Sequence, residues 1–87
     1  MRDCVVIKRV LILKKSGDER AYGIEVSNAY GLYDELRFLG FIRRNNHWVY
    51  VPHDEWDMKD MLKHLVRFIR DEIGRCVRIS GDLPLVR

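Results

Sequence analysis

"FIRRNNHWVYV" (residues 41–51) is two bulky runs meeting at Asn45-Asn46, and how it folds decides which way round the protein is built. It reads as a β-hairpin. Asparagine tolerates the positive φ that both central positions of a type I′ turn require. With that turn Arg44 faces His47, Arg43 faces Trp48, Ile42 faces Val49 and Phe41 faces Tyr50. Successive residues of a strand point to opposite sides, so the hairpin has two unlike faces. One carries Phe41, Arg43, Trp48 and Tyr50. The other carries Ile42, Val49 and Val51, with Arg44 and His47 at the tip. The aliphatic face is expected to lie on helices, leaving the aromatic face outward.

An outward face of three aromatic rings with an arginine among them has the composition of a base-stacking platform. Every base has a π-face, so stacking tolerates any sequence and contributes ~1–3 kcal/mol per base. Arginine adds a phosphate fork and a stacking plane of its own. The same composition suits a core or a subunit contact in which Arg43 lays its stem on Trp48, and both readings stand. Arg37 and Phe38 just before the hairpin, Lys14 and Lys15 at the end of the first strand, and Trp56 off the core stripe of the second helix add basic and aromatic material. Candidate nucleic-acid-binding residues are therefore Phe41, Arg43, Arg44, Trp48, Tyr50, Arg37, Lys14, Lys15 and Trp56. Lys59, Lys63, Arg67 and Arg70 form a ridge on the second helix. Its default reading is a solvated face, with phosphate tracking as the alternative.

Outward from the hairpin, "CVVIKRVLILKK" (4–15) is a long strand apolar on both sides of its pleat, so it is central or sits in a subunit interface. "SGDE" (16–19) is a turn and "AYGIEV" (21–26) a second strand. "SNAYGLYDELRFLG" (27–40) predicts a helix capped by Ser27 or Asn28 and stopped by Gly40, with Ala29, Leu32, Tyr33, Leu36 and Leu39 on its core face. "HDEWDMKDMLKHLVRFIRDEIG" (53–74) predicts a long amphipathic helix. Asp54 is its N-cap, Asp57 mimics a capping box, and Met58, Leu62, Leu65, Val66, Ile69 and Ile73 form its core stripe. "RCVRI" (75–79) is a last short strand. The order β-β-α-β-β-α-β is that of an α+β fold, with two helices on one face of a small antiparallel or mixed sheet.

At 87 residues the chain is expected to be one domain (1–87) with a limited core, and oligomerisation is the favoured source of extra stability. Net charge is +3, and Arg outnumbers Lys while Gln and Thr are absent. This charge is compatible with nucleic acid, and the composition resembles that of a thermophile. Lys8 and Arg9 interrupt the apolar run Val5–Leu13, and no stretch approaches the ~20 apolar residues of a membrane span. A soluble, cytoplasmic protein is expected. Cys4 and Cys76 open the first and last strands; a bridge between them is possible, and free thiols are the favoured reading. His47, His53 and His64 have no metal-site spacing, and neither a Gly-rich phosphate loop nor a nucleophile elbow occurs. No cofactor, metal or catalytic residue is expected.

The long apolar first strand, the helix ending "LRFLGF", the hairpin "IRRNNHWVYV" and the long amphipathic helix together resemble the DNA-binding domain of ThermoDBP and ThermoDBP-related proteins, over most of the chain. That resemblance implies an archaeal, homo-oligomeric protein (a dimer or tetramer) that binds single-stranded DNA without an OB-fold, at surfaces shared between subunits. The expected function is non-catalytic, largely sequence-independent binding of single-stranded DNA or RNA. An oligomerising protein–protein module without nucleic acid is the alternative. Duplex recognition by a winged helix is disfavoured, because the helices that precede such a hairpin are missing.

Overall fold

The computed structural model describes residues 4–13 and 20–80, and its architecture is α+β. Chain order is β1 (Val5–Leu13), β2 (Arg20–Ser27), α1 (Tyr33–Leu39), β3 (Ile42–Arg44), β4 (His47–Tyr50), α2 (Glu55–Arg67), a π-helical segment Phe68–Ile73, and β5 (Val77–Ser80). The strands form one mixed sheet in the order β3-β4-β2-β1-β5. Neighbours are antiparallel except β1 and β5, which run parallel. β1 is therefore paired along both edges, the central position expected of a strand so rich in β-branched and aliphatic residues. Among the described residues no helix is long and apolar enough to cross a membrane.

The hairpin has the predicted register, Ile42 against Val49, Arg43 against Trp48 and Arg44 against His47. Its turn is not type I′: Asn45 takes φ 56°, whereas Asn46 is not at positive φ. The polarity of its faces is the reverse of that expected. Phe41 and Trp48 are each only 4% exposed, while Ile42 is 68% and Val51 45% exposed. The cause is the register with β2, where Ile24 lies opposite Tyr50 and Val26 opposite Trp48. Ile24 and Val26 in turn share a side with Val5 and Ile7 of β1 and with Val77 and Ile79 of β5. Both helices cover that apolar side through Leu32, Leu36, Met58, Met61, Leu62, Leu65, Val66 and Ile69. The aromatic rings of the hairpin follow it inward, where large rings bury the most area. Lys8, Glu25 and Arg78 lie on the opposite, helix-free side with Ile42, Arg44 and Val49.

Three further differences bear on the site. α1 begins at Tyr33 rather than near Ser27, because Asn28 (φ 56°) and Gly31 (φ 89°) adopt left-handed conformations that a helix cannot contain. Its C-terminus is as predicted, with Gly40 left-handed at φ 99°. Asp54 caps α2 by accepting from the Asp57 N–H at 2.8 Å, but the Asp57 carboxylate reaches back to the N–H of His53, not of Asp54. The last turns of the predicted second helix widen into the π-helical segment, which ends at left-handed Gly74. Finally, Cys4 and Cys76 are disulfide-bonded, contrary to the free-thiol reading. The parallel pairing of β1 with β5 brings them together, and the Val5 N–H donates to the Cys76 carbonyl at 2.9 Å.

Candidate nucleic-acid interface

Burial of Trp48 moves the aromatic and basic surface from the hairpin itself to what stands on it. The Tyr33 ring, at the first turn of α1, stacks on Trp48 with centroids 5.7 Å apart and planes at 24°. Tyr33 remains 40% exposed, so Trp48 is its floor and Tyr33 presents surface to solvent. Two guanidinium groups flank the pair. Arg43 lies 5.7 Å from the Tyr33 centroid and Arg37 lies 5.8 Å from that of Trp48. Arg43 is steadied by donating from Nε to the Asn45 carbonyl (3.3 Å), and Arg37 by Asp34 (3.4 Å).

The segment 28–32 builds the other wall. Ala29 and Leu32 anchor it in the core, and the Leu32 N–H donates to the Ala29 carbonyl at 2.8 Å. With Gly31 and Asn28 left-handed, Tyr30 is swung outward instead of onto the helix. Its ring meets the Arg75 guanidinium at 4.2 Å, and Arg75 Nη1 donates to the Tyr30 carbonyl at 2.8 Å. Between this segment and the hairpin tip lies an open cleft of about 310 Å³, lined by Asn28, Tyr30, Tyr33, Arg43, Asn46 and Trp48 among others. A cleft with two exposed tyrosines and arginines nearby offers stacking planes and hydrogen-bond donors suited to phosphate oxygens side by side.

The predicted residues are therefore divided. Arg43 and Trp48 line the cleft, Trp48 as a buried support rather than a stacking surface, and Arg37 stands beside the Trp48 ring without lining the cleft. Phe41 and Tyr50 form a second inward stack, with centroids 5.2 Å apart. The Tyr50 hydroxyl donates to Asp57 Oδ2 at 2.7 Å. Burial, then the Asp57 hydrogen bond and charge, push the Tyr50 pKa up to about 12. The His53 backbone N–H, with the Tyr50 hydroxyl, holds Asp57 below the ordinary carboxylate value. Tyr50 thus ties the hairpin to α2, Phe41 is buried behind it, and the Tyr50 ring is partly buried. Arg44 lies on the helix-free side of the sheet. Trp56 is 74% exposed on the first turn of α2, beside the Lys59 ammonium (5.4 Å). Lys14 and Lys15 lie outside the described residues.

Tyr30, Tyr33 and Arg75 were not among the sequence candidates. The available signal was "NAYG": an asparagine and a glycine three apart, each suited to positive φ, argue for a loop that exposes the tyrosine between them. Among the described residues no group of three His, Cys, Asp or Glu side chains is arranged to hold a metal ion. Comparison with protein-family models, with curated proteins and with solved structures finds no match to this chain.

Proposed function

We propose that the protein binds single-stranded DNA without catalysis and with little dependence on base sequence, as a homo-oligomer. The observation that carries this reading is the Tyr33–Trp48 stack, half open to solvent and flanked by Arg37 and Arg43. In this reading bases stack on Tyr33 and Tyr30, and the guanidinium groups meet phosphates. The helix-free side of the sheet, with Ile42 and Val51 exposed, is the surface available to a second subunit.

The test is a titration of labelled oligo-dT with the protein at two salt concentrations. Tyr33→Ala is expected to weaken binding by ~1–3 kcal/mol while leaving the salt slope nearly unchanged. Arg43→Ala is expected to reduce the slope by about 0.7, the share of one phosphate contact on a single strand. If the wild type binds no oligonucleotide at moderate salt and Ile42→Asp dissociates an oligomer, the protein–protein module replaces this reading.

A further inference from the structure

The disulfide lies against the segment that forms one wall of the cleft, and both of its ends reach that segment. From Cys4, the carbonyl accepts a hydrogen bond from Asn28 Nδ2 at 3.3 Å. From Cys76, the preceding residue Arg75 holds the Tyr30 carbonyl at 2.8 Å and covers the Tyr30 ring at 4.2 Å. Asn28 and Tyr30 both line the cleft. Among the described residues, segment 28–32 is also held by Ala29 and Leu32 in the core, by the Leu32 N–H on the Ala29 carbonyl and, at its α1 end, by the Leu36 N–H on the Leu32 carbonyl. Cys76 is exposed and Cys4 partly so, which leaves the bridge open to a thiol reagent.

We propose that the Cys4–Cys76 disulfide is a redox latch on the Tyr30 wall of the cleft, and that reducing it weakens the binding of single-stranded nucleic acid. The proposal rests on the nucleic-acid reading for its output, though not for its structural half. The chemistry is exchange with a dithiol reductant. A reductant thiolate attacks the Cys76 sulfur and displaces the Cys4 thiolate, which takes up a proton. The second reductant thiol then closes the reductant's own disulfide and releases Cys76. Two electrons and two protons pass to the protein, and the dithiol is oxidised. Once the link is open, the residues around Cys4 and Cys76 lose their covalent tie and keep the β1–β5 ladder and its flanking Val5–Cys76 hydrogen bond. The Asn28 and Arg75 contacts lose their common anchor, and Tyr30 loses its fixed orientation.

The experiment compares the oxidised protein with the protein held in excess dithiol, in the wild type and in Arg75→Gln, which leaves the disulfide intact. Two measurements are made: hydrogen exchange at the Leu32 amide and its neighbours, and affinity for labelled oligo-dT. On reduction, exchange across 28–32 is expected to accelerate while the core amides of β2 and α2 stay protected. Affinity is expected to fall roughly fivefold, the scale of one lost cation–π contact. Arg75→Gln should show that loss while still oxidised, with reduction adding little. Unchanged exchange at 28–32, or loss of core protection together with it, overturns the latch. An equal effect of reduction in Arg75→Gln and wild type overturns it too. If no form binds oligo-dT, the nucleic-acid reading fails, and the exchange data alone decide whether the disulfide controls this segment.

Discussion

Trp48 and Tyr33 stack on one another, yet substituting each has a different consequence. Trp48→Ala empties a site that is 4% exposed at the margin of the core beneath Tyr33, at a cost of ~3–5 kcal/mol. Tyr33→Ala removes a half-exposed ring and should leave the urea midpoint close to that of the wild type, so its effect on binding can be read without loss of fold. Tyr50 poses a different question, because its hydroxyl belongs to a polar link between β4 and α2. Its folded pKa lies at about 12 against an ordinary 10.0. Between those two values the unfolded chain loses the tyrosine proton while the folded one keeps it, so this contribution to stability falls as pH rises. Asp57 acts at the other end of the scale. Its folded value is lowered from 3.8, so its contribution is present above that pH and is lost as pH falls through the folded value. Tyr50→Phe should cost about 1 kcal/mol at neutral pH and remove the alkaline part of this dependence, as measured by urea unfolding across pH.

At the scale of elements, the ends of α1 carry the site. Gly40 sits left-handed at φ 99°, with the nearest Tyr50 ring carbon 3.6 Å from where a Cβ would stand. That distance is ordinary contact, so Gly40→Ala is penalised by its backbone conformation, by about 1–2 kcal/mol in thermal or urea unfolding. The α1 C-terminus was legible from Gly40 alone. Its N-terminus was not, because the apolar spacing of Ala29, Leu32 and Leu36 suits a helix and a loop that drops two of the three into the core equally well. The second helix was legible almost throughout, since Asp54 caps it and Met58, Leu62, Leu65, Val66 and Ile69 are buried as their spacing predicts. Its widening after Arg67 was not, because a π-helical turn keeps Ile69 and Ile73 on the core side and so disturbs the apolar pattern very little.

For the molecule as a whole, the disulfide is a long-range covalent constraint, spanning a sequence separation of 72, the same as the β1–β5 pairs beside it. Closing so large a loop in the unfolded chain gives a stabilisation of ~4 kcal/mol by chain entropy. The urea midpoint of a Cys4→Ser/Cys76→Ser double variant, measured against the oxidised wild type, should be lower by a corresponding amount. Residue order alone determined the sequence of strands and helices, the α+β class, the pairing within the hairpin and the partition of its side chains into an aromatic and an aliphatic face. These are local matters, governed by turn chemistry and by the two-residue period of a strand. Which face turns inward was decided by the tertiary structure, because it depends on the register of β4 against β2, a contact between segments more than twenty residues apart. Once Trp48 lies opposite Val26, it joins the side that both helices cover. What that side then shows to solvent is Tyr33 standing on Trp48, with Tyr30 held beside it by Arg75.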